Sequence, residues 1–371
     1  MTNETWAIFA GGGTAGHLLP GLAVADVLVE RGHDPASIHF VTSDRGTEAK
    51  LLAGSGFGHD QLTGRGIQRK LDRSNAAAAA GLLRATAAGM SMVRRRRPKV
   101  VVCLGGHASF ACAAAATALG VPLVLMEQNV RAGAVNRVLR RFAAASAVSF
   151  EGTDLPRAVV TGNPLRPQLR AAASRPDRVA ARAALGLAPE RTLLSVFTGS
   201  LGSQRVNEAV AGVVEHWADR RDLAIRHITG TRDYASLSAA RTALPDGGLD
   251  HQLIEYEEHM ELLLSATDIA VTRAGAGTCS ELTAFGVPAI VVPLPIATRD
   301  HQTANAEVLV AAGGAVLIPD NELTIDRLEQ ELGRIFADRG LRERMGAGMR
   351  SLARLDAADR VADLIEAHAR G

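Results

Sequence analysis

The sequence predicts an α/β protein of two Rossmann-like domains, each with a doubly wound parallel sheet, facing each other across a cleft. Short apolar runs alternate with helical segments along the chain, the pattern of parallel strands covered on both faces. The order strand, glycine loop, helix occurs twice, in AIFAGGGTAGHLLPGLAVADVL (7–28) and in LLSVFTGSLGSQRVNEAVAGVV (193–214). A chain of 371 residues is also too long for one ordinary core.

The apolar runs predict twelve strands, six in each half of the chain. The first six are Trp6–Ala10, Ile38–Thr42, Val100–Leu104, Leu123–Glu127, Ala147–Phe150 and Val159–Thr161. The second six are Leu193–Thr198, Ala224–Thr229, Leu253–Tyr256, Ile269–Thr272, Ile290–Pro293 and Ala315–Ile318.

The domain boundary is expected near TGNPLRPQ (161–168), because two prolines end regular structure there. This gives an N-terminal domain over residues 1–163 and a C-terminal domain over residues 164–355. A last helix over residues 356–369 is predicted to pack back on the N-terminal domain. Ligands of doubly wound sheets bind at the carboxyl ends of the strands, so the cleft is the expected site.

The composition is typical of a soluble globular protein, with 47% hydrophobic residues, 22% charged residues and a net charge of +2. The three cysteines lack metal-binding spacing and are expected to be reduced and buried. The first residues do not resemble a signal peptide. A long uncharged stretch, Ala108–Met126, is interrupted by Gly120 and Pro122 and therefore predicts a helix and a strand rather than a membrane span.

Residues 65–97 are strongly basic, with Asp72 as their one acid. Two explanations stay open: a solvated helix face whose basic end favours the helix dipole, or a surface for anionic lipid headgroups. Nucleic acid is a weaker explanation, because aromatic residues make up 4% of the chain and none lies among these arginines.

Glycine loops follow four predicted strands, at 11–16, Gly105–Gly106, Gly199–Gly202 and Gly275–Gly277. Such loops let backbone N–H groups approach a phosphate, and the following helix N-terminus adds about half a positive charge. The first loop fits the dinucleotide pattern G-x-G-x-x-G. NAD nevertheless fits poorly, because the nearest candidate for the ribose-binding acid, Asp44, follows too late and precedes an arginine.

His17 opens the helix after the first glycine loop. Imidazole groups in general titrate near neutral pH, so His17 is a candidate general base facing a sugar hydroxyl. A purely local role, as a helix cap or hydrogen-bonding group, is an equal alternative from the sequence alone.

Seven motifs together resemble the MurG transferases, in order and with compatible spacing from residue 7 to about residue 310. They are GGGTAGH, PGLA, EQNVRAGAVNR (127–137), TGNPLR (161–166), TGSLGSQRVNEAV (198–210), RAGAGTCSEL (273–282) and DHQTANA (300–306). The resemblance implies a GT-B fold and inverting transfer of N-acetylglucosamine from UDP-GlcNAc to undecaprenyl-linked lipid I, giving lipid II. It also implies a peripheral protein on an anionic membrane surface, at the cytoplasmic face of the bacterial cell membrane.

The resemblance assigns roles to individual residues. His17 corresponds to the family's candidate base. The UDP-GlcNAc site is implied to include Thr14, Ala15, Gly16, Asn129, Arg166, Ser200, Glu281 and Gln302. The side-chain chemistry agrees: arginine and serine suit a diphosphate, a carboxylate suits a ribose diol and an amide suits sugar hydroxyls. No cofactor is implied, and no DxD-type carboxylate pair predicts a metal.

Some assignments have structural alternatives. Thr278 and Glu281 fit a capping box, in which Glu281 would only close a helix. Asn136 and Asn305 are as well explained as turn or cap residues, and Asn163 before a proline is expected to be structural.

The sequence departs from its relatives on the expected acceptor side. Their second glycine loop usually reads GGY, whereas this chain has GGHASF, with His107 in place of the tyrosine. The acceptor and loop candidates are Gly105, Gly106, His107 and Asn136. The segment in which relatives carry large apolar membrane contacts is alanine-rich here. Membrane contact is therefore expected from Arg69, Lys70, Arg73, Leu82 and Leu83, with the basic residues contributing most.

Other functions compatible with the glycine loops are a non-hydrolysing UDP-GlcNAc epimerase and a nucleotide-sugar-binding regulator without catalysis. An NAD-dependent dehydrogenase is a more distant alternative.

Overall fold

In the computed structural model, the described residues are 5–12, 15–43, 48–62, 74–241 and 243–371. The chain forms two compact units, one of Met1–Arg166 with Asp356–Gly371 and one of Pro167–Leu355. The chain thus leaves the first unit within the proline-containing segment 161–168 and returns to it for its last helix.

The first unit contains a seven-stranded parallel sheet in the order β3-β2-β1-β4-β5-β6-β7. Its strands are β1 Ala7–Gly11, β2 Ile38–Ser43, β3 Gly58–Leu62, β4 Val100–Gly105, β5 Leu123–Glu127, β6 Ala145–Val148 and β7 Ala158–Val160. Its first helices are α1 Ala15–Glu30, α2 Glu48–Ala53, α3 Ser74–Arg96, α4 His107–Ala118 and α5 Ala134–Leu139.

The strands of this sheet are apolar because helices cover both faces. Every residue of β1, β2, β4 and β5 is buried. One face packs on α1 through Phe9, Phe40 and Leu28. The other packs on α3 and α4 through Val101 and Cys112.

The second unit contains a six-stranded parallel sheet in the order β10-β9-β8-β11-β12-β13. Its strands are β8 Thr192–Phe197, β9 Leu223–Ile228, β10 Asp250–Ile254, β11 Ile269–Thr272, β12 Ala289–Val291 and β13 Ala315–Leu317. Its helices are α6 Pro167–Ser174, α7 Arg178–Ala184, α8 Gln204–His216, α9 Tyr234–Ala239, α10 Met260–Ala266, α11 Ala276–Phe285, α12 His301–Ala311, α13 Ile325–Ala337 and α14 Arg339–Ser351.

The last helix, α15 (Ala357–His368), belongs to the core of the first unit. Val361 and Ile365 are fully buried in the same cluster as Phe9. At the surface, Arg31 forms ion pairs of 2.7 Å with both Asp363 and Glu366. The C-terminal helix is therefore an integral layer of the first unit.

The predicted fold class is confirmed: both sheets are parallel throughout and doubly wound. Each of the twelve predicted strands overlaps an observed one, with ends displaced by up to three residues. Strand β3 was not predicted from the sequence, because its residues GHDQL are polar and largely exposed at the edge of the sheet. None of the helices in the described residues is long and apolar enough to cross a membrane.

Candidate active site

Each sheet has a switch point where the strand order reverses, between β1 and β4 in the first unit and between β8 and β11 in the second. Ligands of doubly wound sheets bind at the carboxyl ends of the strands beside such a point. The glycine turns that follow these four strands therefore mark the candidate site within each unit.

In the first unit, the turns after β1 and β4 touch each other. Gly106 has φ +78°, and a Cβ at that position would lie 1.9 Å from the Gly12 carbonyl oxygen. Only glycine fits both the left-handed backbone and this close approach. The two turns are therefore fixed against each other beside the N-termini of α1 and α4.

His17 lies over the second of these turns. A Cβ at Gly105 would be 3.1 Å from His17 Cδ2 and 3.2 Å from Nε2. The ring is partly exposed, as is required of a residue that exchanges a proton with a ligand. Gly16, in the same first turn of α1, is exposed. The structure thus brings together the predicted base and the predicted acceptor-loop residues Gly105 and Gly106.

A buried carboxylate organises the turn after β5. Glu127 is 4% exposed. Its Oε1 accepts hydrogen bonds from Asn129 N and Nδ2, at 3.1 and 3.3 Å. Its Oε2 accepts from Gly133 N at 2.8 Å and Asn136 Nδ2 at 2.9 Å. Four N–H groups thus donate hydrogen bonds to the Glu127 side chain. Glu127 in turn positions Asn129, which the resemblance assigns to the UDP-GlcNAc site. This positioning role of Glu127 was not predicted from the sequence.

Asn136 is 1% exposed and forms part of this support. Besides Glu127, its Nδ2 donates to the Met126 carbonyl at 3.0 Å, and its Oδ1 accepts from Cys103 Sγ at 3.3 Å. This geometry favours the turn-residue alternative over direct contact with an acceptor.

Arg166 is the last residue of the first unit, and its side chain is partly buried. Its Nε is buried and has no hydrogen-bond partner among the described residues. A buried N–H without an acceptor is rare in proteins, and an anionic oxygen would satisfy it. This geometry is compatible with the predicted diphosphate contact.

In the second unit, the turn after β8 is packed against the end of β9. Gly202 has φ +74°, and a Cβ there would lie 1.8 Å from the Thr229 carbonyl oxygen. Ser200 is exposed, and its carbonyl accepts from Thr231 N at 3.1 Å. The loop is thus held by its backbone, with the Ser200 side chain at the surface and the N-terminus of α8 directly after it.

Arg273 connects this turn to the neighbouring strands. Its NH2 donates to Ser203 Oγ at 2.6 Å, and its NH1 donates to Asp320 at 2.6 Å and to the Val292 carbonyl at 3.0 Å. Arg273 was not singled out from the sequence. Its position directly after a buried strand, inside RAGAGTCSEL, was the available signal.

Glu281 lies in the second turn of α11. The helix begins at Ala276 with Gly275 as its N-cap, and the N-cap makes no side-chain hydrogen bond. Thr278 is therefore inside the helix, and the capping-box alternative is wrong. Glu281 is partly exposed at the end of the sheet where the glycine turns lie.

Gln302 is in the first turn of α12, and its amide is oriented. Its Oε1 accepts from Leu294 N at 2.9 Å, so Nε2 is the group left to donate to a ligand. Arg299 and Asp300, just before the helix, have φ of +56° and +54°. Consecutive left-handed residues other than glycine are strained, and such strain concentrates at functional sites. Asn305, in contrast, is fully buried and donates to the Ala274 carbonyl.

Several predicted residues lie outside the described part of the chain: Thr14, Arg69, Lys70 and Arg73 entirely, and Ala15, Leu82, Leu83 and His107 in their side chains. Their assignments remain predictions. Within the described ranges, no group of three or more His, Cys, Asp or Glu side chains is arranged to hold a metal ion.

The two halves of the chain match the two domains of one glycosyltransferase family. Residues 7–148 match the glycosyltransferase family 28 N-terminal domain, and residues 193–361 match the family 28 C-terminal domain. A curated relative from Alkalilimnicola ehrlichii is 38% identical over 361 residues, covering 97% of this chain and 98% of the relative. It is named UDP-N-acetylglucosamine–N-acetylmuramyl-(pentapeptide) pyrophosphoryl-undecaprenol N-acetylglucosamine transferase.

Solved structures of other proteins have folds similar to that of this chain. The crystal structure of Acinetobacter baumannii MurG is similar with a TM-score of 0.78 and 29% identity, covering 98% of this chain and 99% of that chain. A putative UDP-N-acetylglucosamine 2-epimerase from Listeria monocytogenes has a TM-score of 0.69 and 16% identity, covering 98% and 96%. At that identity the likeness concerns the fold alone and gives the epimerase alternative no support of its own.

Proposed function

Because this chain belongs to the MurG family, within glycosyltransferase family 28, we propose that it transfers N-acetylglucosamine from UDP-GlcNAc to lipid I and so forms lipid II. The observation that carries the proposal is the sequence similarity to the relative from Alkalilimnicola ehrlichii, which extends over nearly the whole length of this chain and of that relative. The glycine turns at both switch points support it, because transfer from a nucleotide diphosphate needs backbone donors and helix N-termini near the leaving group.

We propose that the second unit holds the donor. Ser200 contacts the diphosphate at the N-terminus of α8, where the helix dipole favours negative charge. Glu281 accepts hydrogen bonds from the two ribose hydroxyls, and Gln302 donates from Nε2 to a sugar hydroxyl. The support is that Ser200 and Glu281 follow the two strands that flank the switch point, while Leu294 fixes the orientation of the Gln302 amide.

In the proposed reaction, an acceptor hydroxyl oxygen forms a bond to the anomeric carbon while the bond to the diphosphate oxygen breaks. The configuration at that carbon is inverted, and UDP leaves with the electron pair. His17 takes the hydroxyl proton. Arg166 and the helix N-termini stabilise the negative charge that grows on the diphosphate. The partly exposed His17 ring beside Gly105 and the unpartnered Arg166 Nε support these two roles.

The lipid acceptor requires the enzyme to reach a membrane, and we propose peripheral binding at the cytoplasmic face through the first unit. Val138, at the end of α5, is 60% exposed, and Phe142, in the next turn, is 45% exposed. Arg140 and Arg141 lie between them and are exposed. Exposed apolar side chains among arginines suit an anionic bilayer surface. Helix α5 packs on α4, and α4 packs on α3. The basic last turn of α3, Arg94–Arg96, therefore belongs to the helices on the same side of the sheet.

The test is UDP release from UDP-GlcNAc with and without a lipid I analogue. The proposal predicts release that depends on the acceptor. An epimerase would instead interconvert the nucleotide sugar without needing an acceptor, and a binding protein would release no UDP in either condition.

A further inference from the structure

The second unit contains a cavity at the end of its sheet opposite to the glycine turns. It has a volume of about 620 Å³ and is lined by residues of α7, α10, α11 and α14. Thr267, Asp268 and Pro288 also line it, and they lie just before β11 and β12. The cavity is therefore at the amino ends of these strands, away from the candidate active site. A volume of this size is in the range of small-molecule sites.

Arginines predominate among the charged residues of this cavity. Its lining contains four arginines and two acids, which are Arg178, Arg339, Arg342, Arg350, Asp268 and Glu343. The three arginines of α14 share one face of the helix with Gly346, because successive members of this set are three or four residues apart. The lining therefore carries an excess of positive charge along one helix face.

Both acids of the lining are already paired with arginines. One carboxylate oxygen of Asp268 accepts a hydrogen bond from Arg182 at 2.6 Å, and the other accepts from Arg178. Arg182 is 3% exposed and approaches Asp268 from the interior of the unit. Glu343 accepts from Arg339 at 2.8 Å, in an ion pair at the surface. Neither acid therefore presents an unpaired negative charge to the cavity.

Arg350 is exposed, and within the described part of the chain its guanidinium makes no hydrogen bond or ion pair. The group lies between two glycines that line the cavity, Gly286 and Gly346. A Cβ at Gly346 would be 3.4 Å from Arg350 NH1 and 3.6 Å from NH2, and a Cβ at Gly286 would overlap NH1. Helical side chains point toward the N-terminus of their helix, so this guanidinium lies along the cavity wall with its N–H groups available to a ligand.

Arg342 provides a second cation at another position in the cavity. Its NH1 donates to the carbonyls of Ile335 at 2.9 Å and Phe336 at 2.6 Å, at the end of α13. No acidic side chain among the described residues pairs with it. A guanidinium has five N–H donors, so the three on Nε and NH2 remain for a ligand. Two cations at two positions favour an anion that carries more than one charged group.

We propose that this cavity binds a small soluble anion with two or more phosphate groups. One phosphate accepts hydrogen bonds from the Arg350 guanidinium, and another accepts from Nε or NH2 of Arg342. The planar fork of a guanidinium matches the oxygens of a phosphate, and the resulting charge-assisted hydrogen bonds are among the stronger ones in proteins. The site is at the opposite end of the sheet from the proposed donor site, so it does not depend on the transfer reaction.

Pyrophosphate is the probe that tests this proposal, with inorganic phosphate as the comparison. The protein is titrated by calorimetry in saturating UDP, so that a diphosphate site at the glycine turns is already occupied. Saturable binding of one pyrophosphate is expected, about tenfold tighter than that of phosphate because a second charge-assisted contact is made. In protein labelled with ¹⁵N in its arginines, the Nε–H signal of Arg350 should shift on addition of pyrophosphate. That signal is assigned by its absence from Arg350→Gln.

Three glutamine variants locate the bound anion. Arg350→Gln and Arg342→Gln should each weaken pyrophosphate binding by about tenfold or more, the scale for losing a charge-assisted hydrogen bond. Arg344→Gln is the matched control, because Arg344 is on the same helix and 70% exposed but does not line the cavity. It removes the same charge and should leave the affinity unchanged. The melting temperature of each variant shows whether the unit is folded, and Arg350→Gln decides the test if Arg342→Gln loosens the end of α13.

Three results would overturn the proposal. The first is no saturable binding of pyrophosphate to the folded wild-type protein, which would leave the arginines as a solvated helix face. The second is equal affinity for pyrophosphate in Arg350→Gln and wild type, with the Arg350 signal unmoved, which would place the anion elsewhere. The third is an equal loss of affinity in Arg344→Gln and Arg350→Gln, which would show a response to net charge without a defined site.

Discussion

Acidification should destabilise the second unit through His227 and His251. Both are neutral when buried, with pKa values of about 3 and about 4, whereas an unfolded histidine titrates near 6.5. The unfolded state therefore binds more protons than the folded state between pH 6.5 and these values. The contribution of the two histidines to the free energy of unfolding is fully present above pH 6.5. It decreases as the pH falls, by about 1.4 kcal/mol per pH unit for each histidine.

The magnitude at pH 5 follows directly. An unfolded histidine with a pKa near 6.5 gains about 2 kcal/mol from proton binding at pH 5, while the buried rings gain almost nothing. The two histidines together should lower the free energy of unfolding by about 4 kcal/mol between pH 8 and pH 5. That is a large part of the stability of an ordinary domain.

Urea unfolding at a series of pH values measures this effect. The chain has two tryptophans, and Trp217 is buried in the second unit, so in a Trp6→Phe background its fluorescence reports that unit. His251→Leu should reduce the loss of stability between pH 8 and pH 5 by about 2 kcal/mol. His259→Gln is the matched control, because its side chain is in the same unit but 64% exposed. An equal loss of stability on acidification in His251→Leu, His259→Gln and wild type would refute a contribution from the buried His251.

Four further predictions concern the proposed reaction. Glu281→Ala should weaken UDP binding by about 1–3 kcal/mol in calorimetry, the scale for charge-assisted hydrogen bonds, whereas Glu307→Ala on the exposed side of α12 should not. His17→Ala should lower turnover by about 10²–10⁴-fold with UDP affinity nearly unchanged. EDTA should leave turnover unaffected, because the sequence has no DxD-type metal site. Binding to anionic vesicles should weaken with salt and on replacing Val138 and Phe142 with serine, whereas serine at the 74% exposed Val179 of the other unit should leave it unchanged.

Each of these has an outcome that contradicts it. Unchanged UDP affinity in Glu281→Ala removes the ribose contact. Near-normal turnover of His17→Ala at every pH assigns proton transfer to another group. Loss of turnover in EDTA, restored by Mg²⁺, shows that a metal takes part. Equal binding to neutral and anionic vesicles, indifferent to salt, leaves the arginines of the first unit without a membrane role.

The fold could be predicted because burial on both faces leaves a strong signal in the sequence. Strands such as Leu123–Glu127 and Ile269–Thr272 match the prediction at both ends, since each is an apolar run between helix and turn residues. The edge strand Gly58–Leu62 had no such signal, because an edge strand is buried on fewer sides and can be polar. The glycine turns were predictable for the same local reason, as each directly follows a buried strand.

The supporting interactions of the site were less predictable, because they join residues far apart in the chain. Arg273 pairs with Ser203 and Asp320, which are 70 and 47 residues away. The capping-box alternative for Glu281 could be decided only by locating the helix start at Ala276. The buried role of Asn136 follows from Glu127 and Cys103, whose side chains meet it only in the folded unit.

The most direct test of the proposed function is the structure of the product itself. Purified protein is incubated with UDP-GlcNAc and a lipid I analogue, and the acceptor is then analysed by mass spectrometry and by NMR of the new anomeric centre. The proposed function predicts an acceptor heavier by one N-acetylhexosamine residue, joined in the inverted β configuration, in an amount equal to the UDP released. An unchanged acceptor, with UDP-GlcNAc either intact or converted to its 2-epimer, would contradict it.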